Sequence, residues 1–175
     1  MADLIDLDAQ KRKSFNPWKL WDRFTITGQD GSPYLVRLTI VGTPWFALMH
    51  HTFLRSDADR CLHDHPWPFA SLVLSGGYFE ESEWVSPEGE GRRKRTLEWR
   101  RPGAVLFRRA THRHRVLLPD ADWSPTGPWT DREPVPARTL VLRLRKTRTW
   151  GFWTPDGWRR WTEFVQRKNA GEAQC

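Results

Sequence analysis

Two short histidine motifs are the residues of this chain that could bind a metal ion. His63 and His65 are separated by one residue, and His112 and His114 repeat that spacing later in the chain. Neutral imidazoles bind Fe(II), Zn, Ni and Cu well and Mn less well. Residues i and i+2 of a strand point to the same face, so each pair can present two rings together. Because a stable site needs at least a third ligand, the two motifs are candidate halves of one site.

The segments around these histidines carry a further pattern. Residues 61–80 read CLHDHPWPFASLVLSGGYFE, and residues 103–118 read GAVLFRRATHRHRVLL. In order and separation they resemble the two motifs of the cupin superfamily, which are H-x-H followed by a Glu and a Gly, and a later Gly, Phe and His. Gly76 or Gly77 matches the first glycine. Aligning Phe107 with the Phe of the second motif places His114 at its ligand position, two residues after His112.

The match departs from the cupin pattern mainly in its missing carboxylate. The position of the motif glutamate is taken by Phe69 or Ala70. The acidic residue and the corner Pro and Gly of the second motif are replaced by Ala104, Arg109 and Thr111. The resemblance therefore implies a site of three histidines, as in cysteine dioxygenase and in small phage cupins that are similar to it. The implied ligands are His63, His65 and His114, and His112 stays open as an alternative third ligand.

Other residues near the motifs are candidates for catalysis or substrate binding. Tyr78 and His112 are candidate catalytic groups, although a core tyrosine is the alternative for Tyr78. His51 lies on an apolar strand and is predicted to contact substrate. Arg60 and Arg115 are predicted to hold an anionic group of the substrate, because guanidinium binds carboxylate and phosphate with two parallel hydrogen bonds.

The function favoured by these residues is a mononuclear metal-dependent oxygenase of the thiol dioxygenase type, acting on a small anionic substrate. Fe(II) is the favoured cofactor, and Zn, Mn and Ni remain open. One alternative is a non-redox metal cupin, an isomerase, epimerase or hydrolase acting on a sugar or nucleotide. Another is a non-catalytic cupin or a basic protein that binds nucleic acid, which is open but not favoured.

The elements that must position these residues are mostly strands. Around nine short strands separated by turn signals predict an all-β, cupin-like jelly-roll barrel. Short helical segments are predicted near both termini, over residues 16–24 and after Trp158. We expect one domain over 16–168, with a flexible tail at 1–15 and a C-terminal tail at 169–175.

Composition limits the class of protein. The formal net charge is +7, and much of the excess lies in three arginine-rich segments. This predicts either a solvated basic face or affinity for anions. The N-terminus has no apolar signal region, and no apolar run approaches the length of a membrane span. Two cysteines, Cys61 and Cys175, imply no disulfide framework and fit a reducing compartment. We therefore expect a cytoplasmic protein, with a homodimer as one open assembly.

Overall fold

The chain is an all-β protein with one described helix. The computed structural model describes residues 18–28, 31–57, 61–85, 93–119 and 134–172. The first six strands are β1 (Lys19–Thr27), β2 (Pro33–Gly42), β3 (Ala47–Phe53), β4 (Leu62–His63), β5 (Phe69–Ser75) and β6 (Tyr78–Val85). The other six are β7 (Arg93–Arg100), β8 (Val105–Arg108), β9 (Arg113–Leu117), β10 (Ala137–Arg143), β11 (Gly151–Thr154) and β12 (Gly157–Arg160). The helix α1 (Trp161–Asn169) follows β12 directly.

The strands form two antiparallel sheets. Sheet A has the order β1-β2-β3-β10-β5-β8, and sheet B has the order β12-β11-β4-β9-β6-β7. One buried apolar cluster combines Val73 and Ala137 of sheet A with Tyr78 and Val116 of sheet B, so the core lies between the two sheets. This arrangement confirms the all-β jelly-roll class predicted from the sequence.

Alternation along the strands decides which side chains face the core. In β10, Ala137, Thr139 and Val141 are buried, whereas Arg138 and Leu142 are exposed. The residue types of this strand do not separate its faces, because Arg138 and Leu142 share the exposed face and Arg143 has the parity of buried Val141. The inner face of β10 therefore follows from its pairing in sheet A and not from the polarity of its residues.

A layer of polar residues divides the core into two apolar clusters. On β3, His51 lies between Met49 of one cluster and Phe53 of the other. On β10, Thr139 has the same position and pairs with His51 across the two strands. Burying polar groups is costly unless they find partners, so a polar layer at this depth indicates a site.

Three expectations about elements need correction. The helical turn predicted over 16–24 is wrong from Lys19 onward, because these residues pair with Val41, Thr39 and their neighbours as strand β1. Residues 16 and 17 lie outside the described residues. The described residues form twelve strands where around nine were expected, since a two-residue element such as β4 gives no periodic signal. Cys61 is buried and forms a disulfide bond, which the cysteine count did not predict because chain spacing does not report distance in the fold.

The described residues include no helix that is both long enough and apolar enough to cross a membrane.

Candidate metal centre

Three histidine rings converge between the sheets. The ring centroids of His63, His65 and His114 are 5.2, 5.0 and 5.0 Å apart, which makes a nearly equilateral triangle. One ring nitrogen from each lies within 4.8 Å of the other two. The triangle exists because β4 pairs with β9 so that His63 is directly opposite His114. His65 follows two residues after His63 and completes the set.

The closest approach in the triangle fits a shared ion. Nε2 of His65 lies 2.7 Å from Nε2 of His114. Two imidazole nitrogens bound at right angles to one ion at 2.0–2.1 Å would be about 2.9 Å apart. Burial, together with the charges of His114 and His63, lowers the pKa of His65 well below its ordinary value. The ring is therefore neutral and keeps a lone pair for a metal.

A buried carboxylate lies behind His114. Oε1 of Glu80 is 2.8 Å from Nδ1 of His114 and 3.1 Å from Nε2 of His112. Arg108 donates from Nε to Oε1 at 3.0 Å and also from Nη2 to Oε2, and Arg100 donates from Nε to Oε2 at 2.8 Å. Burial alone raises the pKa of Glu80, but hydrogen bonds from His112, His114 and Arg108 hold it far below its ordinary range. Glu80 is therefore ionised.

The same contacts argue against a second metal site on Glu80. Glu80, His112 and His114 also place one potential ligand atom each within 4.8 Å of the others. However, Oε1 of Glu80 already accepts from Arg108, and Oε2 accepts from both Arg108 and Arg100. A carboxylate has about four acceptor sites in all. A cation there would have to compete with Arg108 and Arg100. The three-histidine set is the better metal site.

The H-x-H segment is held in place by the residue between its histidines. Asp64 is fully buried and accepts from Nη1 of Arg148 at 2.6 Å, from the backbone N–H of Gly151 at 2.9 Å and from Nε1 of Trp158 at 2.9 Å. Its own N–H donates to the carbonyl of Gly151. These bonds connect the segment to the β11–β12 hairpin and send the Asp64 side chain away from the two imidazoles.

Aromatic rings surround the triangle. Phe69 lies 4.8 Å from the ring of His65 and 6.2 Å from that of His114. Trp150 and Phe152 lie 6.4 and 6.1 Å from His63, and Phe152 stacks on Phe164 of α1. An apolar ring thus lies where the motif glutamate is expected, and the helix supports the wall on the other side.

The opposite wall, on sheet A, carries an arginine in the polar layer. Arg37 of β2 pairs in register with His51 of β3, and its Nε donates to Nε2 of His51 at 3.1 Å. Within the described part of the chain, this is the one hydrogen bond of the guanidinium, and no carboxylate pairs with it. Burial lowers the pKa of Arg37, and its charge contributes to the lowered pKa of His65. Arg37 therefore places a positive charge on the inner face of sheet A, beside His51.

The remaining predicted site residues have varied locations. Tyr78 packs in the apolar cluster with Val73, where burial raises its pKa to about 12, which favours the core interpretation. His51 lies on the inner face and is buried. His112 contacts Glu80 and lies with its ring 5.1 Å from that of His114. Arg60 lies outside the described residues.

Arg115 is a correction, because the structure does not bring it to the triangle. It follows His114 on β9, and the pleat turns it to the outer face, where it pairs with Glu81. Glu80 and Arg37 were missed by the sequence analysis. Their only local signal is alternation, which places Glu80 on the same face of β6 as Tyr78 and Arg37 on the same face of β2 as Leu35.

Comparisons with known proteins find similar solved structures at low sequence identity. No protein-family model and no curated protein match the chain. Similar solved structures include hydroxypropylphosphonic acid epoxidase from S. wedmorenis in complex with fosfomycin (17% identity, 73% of this chain, 58% of that chain, TM-score 0.45). Others are KdgF from Halomonas sp. (17%, 71%, 89%, 0.41) and an RmlC-like cupin from Shewanella frigidimarina NCIMB 400 (12%, 70%, 82%, 0.44). The chain thus spans little more than half the length of the epoxidase, and the case for the site depends on its own geometry.

Proposed function

We propose that this protein is a metal-dependent enzyme of the three-histidine cupin type, with His63, His65 and His114 as ligands of one divalent ion. The observation that supports this most directly is the convergence within 4.8 Å of three ring nitrogens, from one buried and two half-buried histidines. Three neutral imidazoles leave the charge of the ion at +2 and leave coordination positions open for substrate. Fe(II) is the favoured ion for the proposed reaction, and Zn, Mn and Ni are alternatives for the same three imidazoles.

The proposed substrate is a small anion. Arg37 is a guanidinium on the inner face of sheet A, beside buried His51, and has no carboxylate partner among the described residues. A charged donor group in a site of low dielectric favours an anionic ligand strongly. We expect Arg37, in place of Arg115, to orient the anionic group, and the prediction for Arg60, which lies outside the described residues, stands beside it.

The proposed reaction is an O2-dependent oxidation of the thiol dioxygenase type. Fe(II) at such a centre would supply redox chemistry with O2, whereas Zn or Mn would supply Lewis-acid chemistry for an isomerase or hydrolase. The residues of the chain would bind and orient the substrate through Arg37, and Phe69, Trp150 and Phe152 would limit the access of water. The missing motif carboxylate favours the first reaction over the second.

Metal content tests the site. We expect the purified protein to bind about one equivalent of Fe(II), Co(II) or Zn, and each of His63→Ala, His65→Ala and His114→Ala to lose at least about tenfold in affinity. His50→Ala is the matched control, because His50 lies on β3 next to buried His51 but on the alternate face. A folded wild-type protein that binds none of these ions would rule out the proposed function.

Oxygen consumption separates the two reactions. With Fe(II) bound and small thiol-containing acids as substrates, we expect O2 uptake that stops in Arg37→Met. Turnover of a sugar or nucleotide substrate that is unchanged under anaerobic conditions, with Zn or Mn bound, would favour the non-redox alternative.

A further inference from the structure

Glu80 is an almost fully buried carboxylate beside the triangle, and neither proposed catalysis nor proposed substrate binding accounts for it. It is 1% exposed and accepts from four side chains, three of which are not proposed metal ligands. The fourth is His114, whose Nδ1 lies 2.8 Å from Oε1. Burying a carboxylate costs free energy unless it is paired, and the four partners of Glu80 offset that cost.

The contact with His114 determines where that ring carries its hydrogen. Oε1 of Glu80 accepts from Arg108 and Oε2 accepts from Arg100, and a carboxylate engaged by guanidinium groups only accepts hydrogen bonds, so Nδ1 of His114 is the nitrogen that donates. In a neutral imidazole the other nitrogen, Nε2, then holds the lone pair. Nε2 is also the atom of His114 that lies 2.7 Å from Nε2 of His65, on the side of the triangle.

We propose that Glu80 is a positioning residue for the metal centre, which holds His114 as the Nδ1–H tautomer and aims its Nε2 at the ion. This rests on the proposed metal site. Metal-binding histidines commonly donate their other N–H to a carboxylate, which fixes the ring and makes it a more basic ligand. In this chain the carboxylate comes from β6, one strand away from β9, and not from the motif position occupied by Phe69.

The arginines around Glu80 keep it in this role. Arg108 engages both oxygens and Arg100 engages Oε2, so the carboxylate cannot turn toward the triangle without breaking charged hydrogen bonds. His112 donates to the same Oε1 as His114 and occupies the space on its other side. Glu80 thus acts on the ion only through His114.

The chain provides a matched control one residue further along. Glu81 follows Glu80 on β6 but lies on the outer face, where it pairs with Arg95 and Arg115. Glu81→Gln therefore removes a carboxylate with two arginine partners from the same strand, without touching a histidine of the triangle.

The first experiment reads the tautomer in the metal-free protein. Long-range ¹⁵N–¹H correlation spectra of ¹⁵N-labelled wild type should show His114 with a protonated Nδ1 and a bare Nε2. In Glu80→Gln the Nε2–H form should become populated, whereas Glu81→Gln should match the wild type. If His114 of the wild type is protonated at Nε2, or averages both forms, the proposal is overturned. This holds even if Glu80→Gln does not fold.

The second experiment measures the affinity for Co(II) by its absorption spectrum. We expect Glu80→Gln to bind Co(II) about 10–100-fold more weakly than the wild type, Glu80→Asp to recover part of this loss, and Glu81→Gln to bind normally. Equal affinity in wild type and folded Glu80→Gln would overturn the positioning role. A wild type that binds no Co(II), while His114 shows the expected tautomer, would instead defeat the proposed metal site.

Discussion

At the scale of the residue, one step along a strand decides which arginine can meet a ligand in the core. Arg115 follows an inward histidine and therefore faces outward, where Glu81 pairs with it. Arg37 pairs in register with buried His51 and therefore faces inward. Because successive side chains of a strand point to opposite faces, a residue directly beside a ligand in the sequence points away from the site.

Because Arg37 faces inward and Arg115 faces outward, the same substitution should affect anion binding at the first position and not at the second. With Co(II) bound, Arg37→Met should weaken the binding of mercaptoacetate about 10–100-fold, because a charged hydrogen bond contributes about 1.5–3 kcal/mol. Arg115→Met should leave the binding unchanged. The absorption change on adding mercaptoacetate measures both. Equal weakening in the two variants would show that general positive charge, and not Arg37, attracts the anion.

The same scale explains how much of the site the sequence predicts. The spacing of one residue marks His63 and His65 as a pair, and the resemblance to the second cupin motif points to His114, with His112 as the alternative. Glu80 and Arg37 carry no such mark, since their importance comes from the strands that they face across the core. A motif reports what lies along the chain, whereas these residues depend on pairing between distant strands.

At the scale of the element, the turn between β5 and β6 determines where Glu80 enters the core. Gly76 and Gly77 have φ values of 76° and 94°, in the region that favours glycine. A Cβ on Gly76 would lie 2.3 Å from the carbonyl oxygen of Pro136. The turn therefore needs glycine both for its backbone conformation and for the close approach of the segment before β10.

Alanine substitutions can separate these two requirements. Gly76→Ala should lower the free energy of unfolding by more than about 2 kcal/mol, because it combines a strained φ with a backbone collision. Gly103→Ala has a φ of 86° but nothing within 4 Å of its new Cβ, so it should lose only about 1–2 kcal/mol. Urea unfolding measures both. Equal losses would mean that the turn adjusts without cost to the contact with Pro136.

Runs of strand-forming residues between turn signals predict several elements closely, whereas short elements carry no signal. The runs FASLVLS, YFEESEWV and RKRTLEWR read as strands in the sequence and coincide with β5, β6 and β7. The two residues of β4 lack a pattern of their own, and pairing with β9 and β11 makes them a strand. The first part of β1, up to Phe24, was mistaken for a helical turn because Asn16 and Pro17 resemble a helix start, whereas residues 24–27 read as a strand and form one.

At the scale of the whole molecule, ion pairs neutralise part of the arginine-rich segments, while the net charge remains +7. Several arginines of the basic segments form ion pairs with glutamate or aspartate, namely Arg95, Arg100, Arg108, Arg113, Arg115 and Arg148. Strand pairing places these charges opposite acidic residues of β6 and of the H-x-H segment. Affinity for nucleic acid and a homodimer both stay predictions.

Buried neutral histidines also make the stability of the whole fold depend on pH. Burial, the charge of Arg37 and the charge of His50 lower the pKa of His51 well below 6.5. When the pH falls below 6.5, the unfolded chain takes up a proton at this position and the folded chain does not. The contribution of His51 to the free energy of unfolding is therefore fully present above pH 6.5. It is lost as the pH falls toward the folded pKa, by up to about 1.4 kcal/mol per pH unit.

His51→Gln should remove this part of the pH dependence, since glutamine does not titrate and can still accept from Arg37. In urea unfolding of the metal-free proteins between pH 8 and 5, the free energy of unfolding of the wild type should fall relative to that of the variant once the pH drops below 6.5, because only the unfolded wild type takes up the extra proton. Chelator in every sample excludes the separate effect of protons on metal binding. Parallel curves with the same slope below pH 6.5 would show that His51 is protonated in the folded protein, and the electrostatic account of the polar layer would then be wrong.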